Sequence, residues 1–164
     1  MKKIYLILIF VLLFTSCSFK NKKGLFEEDR LYQTALTHSK ESSIYNSLEL
    51  KASIIATYLN SFLDECKHCQ SDRFLVAIYI SDDSSDKKKQ GLNNTFYKLS
   101  LNGKKPISVK ELSYDDDLIK LAPFRNRWAH YYLIDFARDN QSNMLMRYDS
   151  KNYGGVTLTF PRYE

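Results

Sequence analysis

The chain is poor in the residues that announce catalysis. Its 164 residues hold three histidines, His38, His68 and His130, and these form no triad pattern. There is no Gly-x-Ser-x-Gly elbow and no His-Glu-x-x-His zinc pair. The five glycines build no phosphate-cradling loop: Gly103 belongs to an Asn-Gly turn and Gly154-Gly155 to a loop. No internal repeat is present. No apolar run reaches the ~20 residues of a spanning helix. Charge is equally uninformative, with 24 basic against 19 acidic residues and a formal net charge of +5. These shortages leave an enzymatic role without a visible centre, and the weak basic excess points to no nucleic-acid partner.

What is present is concentrated at the start. Lys2 and Lys3 precede the apolar run Ile4 to Phe14, and Thr15 and Ser16 lead to Cys17. A positive segment, a short apolar segment and a small-residue cleavage site are the parts of an export signal. Leu12-Leu13-Phe14-Thr15-Ser16-Cys17 resembles the lipobox of bacterial lipoproteins, and the resemblance covers residues 1–17 only. It implies that residues 1–16 are a signal peptide and that Cys17 carries covalent lipid, with no other cofactor. It also implies a chain held in the bacterial cell envelope, at the periplasmic face of a membrane. Two acyl chains suffice for stable attachment, each buried CH₂ contributing about 0.8 kcal/mol. Ser18 stands where an Asp would retain an enteric lipoprotein at the inner membrane, which leans the expectation toward the outer membrane. Residues 17–24, basic and polar, read as a tether against anionic headgroups. Loss of residues 1–16 leaves 148 residues and a net charge of +3, the size of one domain over 25–164.

Lipidation of Cys17 would leave Cys66 and Cys69 as an even pair in an oxidising space. The motif Cys66-Lys67-His68-Cys69 is open to several readings: a structural disulfide pinning a helix end, unremarkable thiols, a redox dithiol, or part of a metal site. A thioredoxin-like dithiol opens a helix, where the dipole lowers the thiol pKa, whereas this pair is expected to close one. Zinc would need a fourth ligand that is not evident nearby, so no metal is expected. Asp82, Ser84 and Asp86 alternate like calcium ligands, but Lys87-Lys88-Lys89 follows and the later ligand positions fail.

The fold expected is α+β: an amphipathic helical segment over 25–67 packed on a mostly antiparallel β-sandwich over 72–164, of immunoglobulin or transthyretin type. The helical expectation rests on Ile44, Leu48, Ala52, Ile55, Leu59, Phe62 and Cys66, spaced 4, 4, 3, 4, 3 and 4. A break is expected between Thr37 and Ser43. About six strands follow from alternation and turn signals: Phe74–Ile80, Phe96–Leu101, Pro106–Leu112, Trp128–Phe136, Met144–Tyr148 and Val156–Phe160. Asn102-Gly103 reads as the turn of a hairpin between the second and third. Asp115 to Asp117 reads as the cap of a short helical turn ended by Pro123. Ser81–Asn94 reads as a mobile polar loop.

Arg125, Arg127, Trp128 and Tyr131 are the expected binding face, because aromatics beside arginine stack sugars or peptides. The function expected is a non-catalytic accessory or scaffold role, binding another envelope protein. The alternatives are a thiol-disulfide oxidoreductase using Cys66 and Cys69, and a cell-wall or carbohydrate binder using Trp128 and Tyr131.

Overall fold

The structure is a computed structural model describing residues 22–67 and 69–162. Cys17, the signal segment and His68 lie outside the described residues. The chain divides into two units, residues 1–30 and 31–164, and the second holds both sheets. Helix α1 is Lys22–Thr37, so residues 22–24 of the expected tether are helical. The eight strands are β1 (Ser39–Asn46), β2 (Glu49–Tyr58), β3 (Ser71–Ile80), β4 (Tyr97–Leu101), β5 (Ser108–Leu112), β6 (His130–Ala137), β7 (Asn143–Ser150) and β8 (Gly154–Pro161). A one-turn helix, α2 (Asp64–Lys67), precedes β3, and 3₁₀ turns cover Lys87–Lys89, Gly91–Asn93 and Asp117–Leu121. Among the described residues, no helix is long and apolar enough to cross a membrane.

Every strand pairing is antiparallel. The first sheet has five strands in the order β1-β2-β3-β6-β5, and the second has three in the order β4-β7-β8. Period-two alternation builds the space between them. Ile54, Phe74, Val76, Ile78, Ile134 and Phe136 point inward from the first sheet, and Met144, Met146, Tyr148 and Phe160 from the second. The Phe74 ring meets Phe136 and Phe160 edge-on at 6.0 and 5.1 Å, one contact within its sheet and one across the gap. A second cluster covers the other face of the five-stranded sheet. There Leu59, Leu75, Ala77, Leu112 and Tyr131 meet Ala35 of α1, Cys66 of α2 and Ile119 and Leu121 of the 3₁₀ turn.

The expected helix over 25–67 is corrected. It ends at Thr37, within the expected break, and residues 39–58 are a hairpin of two strands rather than a second helical stretch. Ala52, Ile54, Ala56 and Tyr58 face the sandwich core, while Ile55 packs in the second cluster. A central strand covered on both faces loses its alternation, and its apolar residues then matched a helical stripe by coincidence. Leu48, a member of that stripe, sits fully exposed at the hairpin tip beside Ser47, whose φ is +56°.

All six strands expected beyond residue 72 are present, but one pairing is corrected. Asn102 and Gly103 do turn, at φ +49° and +77°, and a single bridge joins Leu101 to Lys104. β4 then pairs with β7 and β5 with β6, so the segment is a crossover between sheets and not a hairpin. Asn102 is the reason: its backbone N–H donates to Leu145 O and its side chain accepts from Leu145 N, which ties the turn to β7. Pro106, without an N–H, ends the return pairing, and Ile107 N donates to Asp135 O in the other sheet. Asp116 caps the 3₁₀ turn as expected, accepting from Leu118 N. The Ser81–Asn94 loop is tied down by Asp83, which accepts from the N–H groups of Ser84 and Gly91.

Candidate functional site

The loop between the Asp117–Leu121 turn and β6 carries the expected binding face. Phe124 and Trp128 are the two most exposed aromatic side chains among the described residues, at 65% and 80%. Exposing large apolar rings forfeits about 1.5–3 kcal/mol of burial each, so a rigid loop that does so invites a reason. The loop is held from beneath. Tyr131, buried at 2%, accepts the Asn126 N–H at 2.7 Å, and its hydroxyl hydrogen reaches the carbonyls of Asn126 (3.2 Å) and Phe124 (3.3 Å). Asn126 Oδ1 then accepts the Trp128 N–H at 2.9 Å, fixing the backbone that presents the indole.

The four expected residues therefore divide. Arg125, Arg127 and Trp128 are exposed. The Arg127 guanidinium lies 5.9 Å from the Tyr114 ring centre, and Tyr114 in turn packs edge-on against Tyr131. Tyr131 is buried and anchors the loop instead of forming its surface. Trp128 precedes β6 in a turn, outside the strand it was expected to begin. Phe124 and Asn126 were not expected: only the loop's course shows that residues on either side of Arg125 reach the same edge.

Beside the loop runs a groove of about 150 Å³ over the uncovered part of the five-stranded sheet. Glu41, Ser53, Ile55 and Tyr79 form its floor, with Phe124 and Asn126 on its wall. A mixed floor and an aromatic wall suit a peptide or protein surface.

The two thiols are not joined. The expected Cys66–Cys69 disulfide is not formed in the structure, where both cysteines are free, Cys66 buried and Cys69 half-buried. The Cys69 N–H donates to Cys66 O at 3.0 Å, and the Cys69 thiol donates to Glu65 O at 3.3 Å, so the turn closes through these bonds. Burial pushes the Cys66 thiol up, although Arg73, whose Nη1 lies 4.0 Å from the sulfur, pulls the other way. A buried thiol held in its neutral form is a poor nucleophile. Arg73 is itself committed to a two-toothed pair with Asp135, at 2.7 and 3.1 Å, which keeps its guanidinium charged.

Two further polar clusters are built into the sandwich. His130 places Nε2 3.2 Å from Asp83 and Nδ1 3.3 Å from Glu111. The cluster joins the Ser81–Asn94 loop to β6 and the edge strand β5. Gly91 passes so close that a Cβ there would lie 2.0 Å from Tyr132 Oη and 3.1 Å from His130 Cβ, and its φ is +52°. At the opposite end, Asp72 of β3 is fully buried, receives Arg162 Nη2 at 2.5 Å and accepts the Tyr58 hydroxyl at 3.2 Å. Burial pushes the Asp72 carboxyl up and Tyr58 up to about 12. Arg162 also donates to the Asp139 and Gln141 carbonyls, so it clamps the end of the three-stranded sheet to the five-stranded one. Asp72, Tyr58 and the two terminal nitrogens of Arg162 all have partners in the chain, the arrangement of a structural network, while the buried Arg162 Nε has none among the described residues. Among the described residues, no group of three or more His, Cys, Asp or Glu is disposed to hold a metal ion.

No family model matches the chain, and neither does any curated protein or solved structure.

Proposed function

We propose that this protein is a lipid-anchored accessory protein of the bacterial cell envelope that docks another envelope protein through the Phe124–Ala129 loop. The observation carrying the docking half is the pairing of an exposed Trp128 with a buried Tyr131 that pins its loop. A rigid aromatic beside arginine is the composition of a binding hot spot, and pinning it in advance lowers the ordering cost on association. The address half rests on Lys2-Lys3, the apolar run and Cys17. Lipid on Cys17 would place the domain at a membrane surface, where a second membrane-bound protein meets it at high effective concentration.

Two measurements separate the halves. Metabolic labelling with palmitate should mark the wild type and not Cys17→Ser, and the variant should leave the membrane fraction. Trp128→Ala should stay folded and membrane-bound, and should lose the partner. Palmitate on neither protein, with both in the membrane, would end the address; a partner retained by Trp128→Ala would end the docking site.

A further inference from the structure

The two sheets part at the end of the sandwich away from Arg162, and a second groove of about 150 Å³ opens there. It lies between the starts of β2 and β4 and the ends of β3 and β7. Two aromatic rings border it: Phe96, half exposed just before β4, and Tyr153, 37% exposed in the β7–β8 turn. Each has an ammonium group over its ring, Lys151 at 5.2 Å from Phe96 and Lys51 at 5.6 Å from Tyr153. The rings are positioned by the chain. Phe96 N donates to Asn94 Oδ1, and Lys151 N donates to Phe96 O, which locks the β4 approach against the β7 turn.

We infer that this groove is a binding site for one neutral sugar ring. Three features select that chemistry. The first is size: the volume lies well below the ~300 Å³ of a drug-sized pocket, so the occupant is a small group. The second is charge. Lys51 is nine-tenths buried and already paired with Glu49 at 2.8 Å and Asp82 at 3.4 Å. With Lys151 the four groups sum to zero, so no uncompensated cation waits for a phosphate or a carboxylate. The third is the wall. Phe96 and Tyr153 bring two aromatic rings to the edge of the groove, against which ring C–H groups can pack. Asp82, Asn152 and the Tyr153 hydroxyl offer mixed donors and acceptors, and the Asn152 side chain and Tyr153 hydroxyl make no hydrogen bond among the described residues. Sugar hydroxyls both donate and accept, which is the complement of that mixture.

This site stands apart from the Trp128 loop and owes nothing to the docking reading. Its test is a sugar titration of the chain from residue 17 onward, carrying Cys17→Ser, followed by amide and side-chain NMR shifts. The probes are methyl α-D-glucoside and N-acetylglucosamine, with glucuronate and inorganic phosphate as anionic arms. The expected result is saturable shifts at Phe96, Asn152 and Tyr153 with at least one neutral sugar. Tyr153→Ala and Phe96→Ala should each raise the apparent Kd about tenfold while the rest of the spectrum stays that of a folded protein. Trp128→Ala should leave the Kd unchanged. Shifts with the anions and not the sugars, shifts outside the groove, no shifts at millimolar sugar, or an unchanged Kd in both aromatic variants would overturn the inference.

Discussion

The buried hydroxyl of Tyr131 holds the backbone N–H of Asn126 at 2.7 Å, and on that bond rests the course of the loop that exposes Trp128. Tyr131 belongs to the second strand face of β6 and packs in the cluster beneath the loop. The bond therefore links sheet packing to a surface feature. Tyr131→Phe keeps the ring and removes the acceptor. It should cost about 0.5–1.5 kcal/mol, because the part-buried Asn126 N–H loses its partner. Chemical denaturation measures the loss, and hydrogen exchange should speed at Asn126 more than in β3.

The Asp72–Arg162 clamp should behave as a coupled pair. Arg162→Leu leaves a buried carboxylate without its cation and should cost about 3–5 kcal/mol. Asp72→Asn in the same chain should recover part of that loss, because it removes the stranded charge. A double-mutant cycle by urea denaturation checks it. Simple additivity would show that the two do not interact.

Asp139 gives the fold an acid limb. The Asn102 side-chain amide, with Lys104 and Arg162 nearby, holds its carboxyl below the ordinary 3.8. A depressed folded-state value contributes stability that is present above the unfolded value and lost as pH falls through the folded one. Asp139→Asn should therefore cost about 1 kcal/mol at neutral pH and flatten the fall in stability below about pH 4. Asp72 runs the other way. Burial raises its carboxyl, so its protonation on the way down relieves a cost and partly offsets the Asp139 limb. Denaturation midpoints from pH 3 to 7 in both proteins read the difference.

The two thiols should differ in reactivity. With Cys17→Ser and reductant present, Cys69 is half-buried while Cys66 is 3% exposed and held neutral by burial. Timed alkylation followed by mass spectrometry should modify Cys69 first, and Cys66 only as the domain opens.

The β-rich half of the molecule was readable in the chain because the strands of its three-stranded sheet have one wet and one dry face, and β3 is a continuous apolar run bounded by turn residues. Tyr97, Leu99 and Leu101 alternate with Lys98 and Ser100, and the structure keeps that alternation. β2 hid for the opposite reason. With Ile54 facing one layer and Ile55 the other, it carries no polar beat to count. Turn chemistry announced the bend at Asn102-Gly103 but not the strand partners on either side of it. Those are decided by Leu145 and Asp135, both more than 25 residues further along the chain. The Trp128 loop was found as a cluster of residue types. Its division into presented and anchoring residues needed the Tyr131 hydroxyl. Nothing in the sequence could bring Lys51, Phe96 and Tyr153 together, because only the stacking of two sheets does so.

The docking loop is tested most directly by a photo-reactive amino acid at position 125, beside Trp128, and at position 98, exposed on the other sheet. Irradiation of living cells should yield one adduct with an envelope protein from position 125, none from position 98, and none from position 125 once Trp128→Ala is added. An adduct that forms equally from position 98, that persists without Trp128, or that never forms from position 125 would contradict the account.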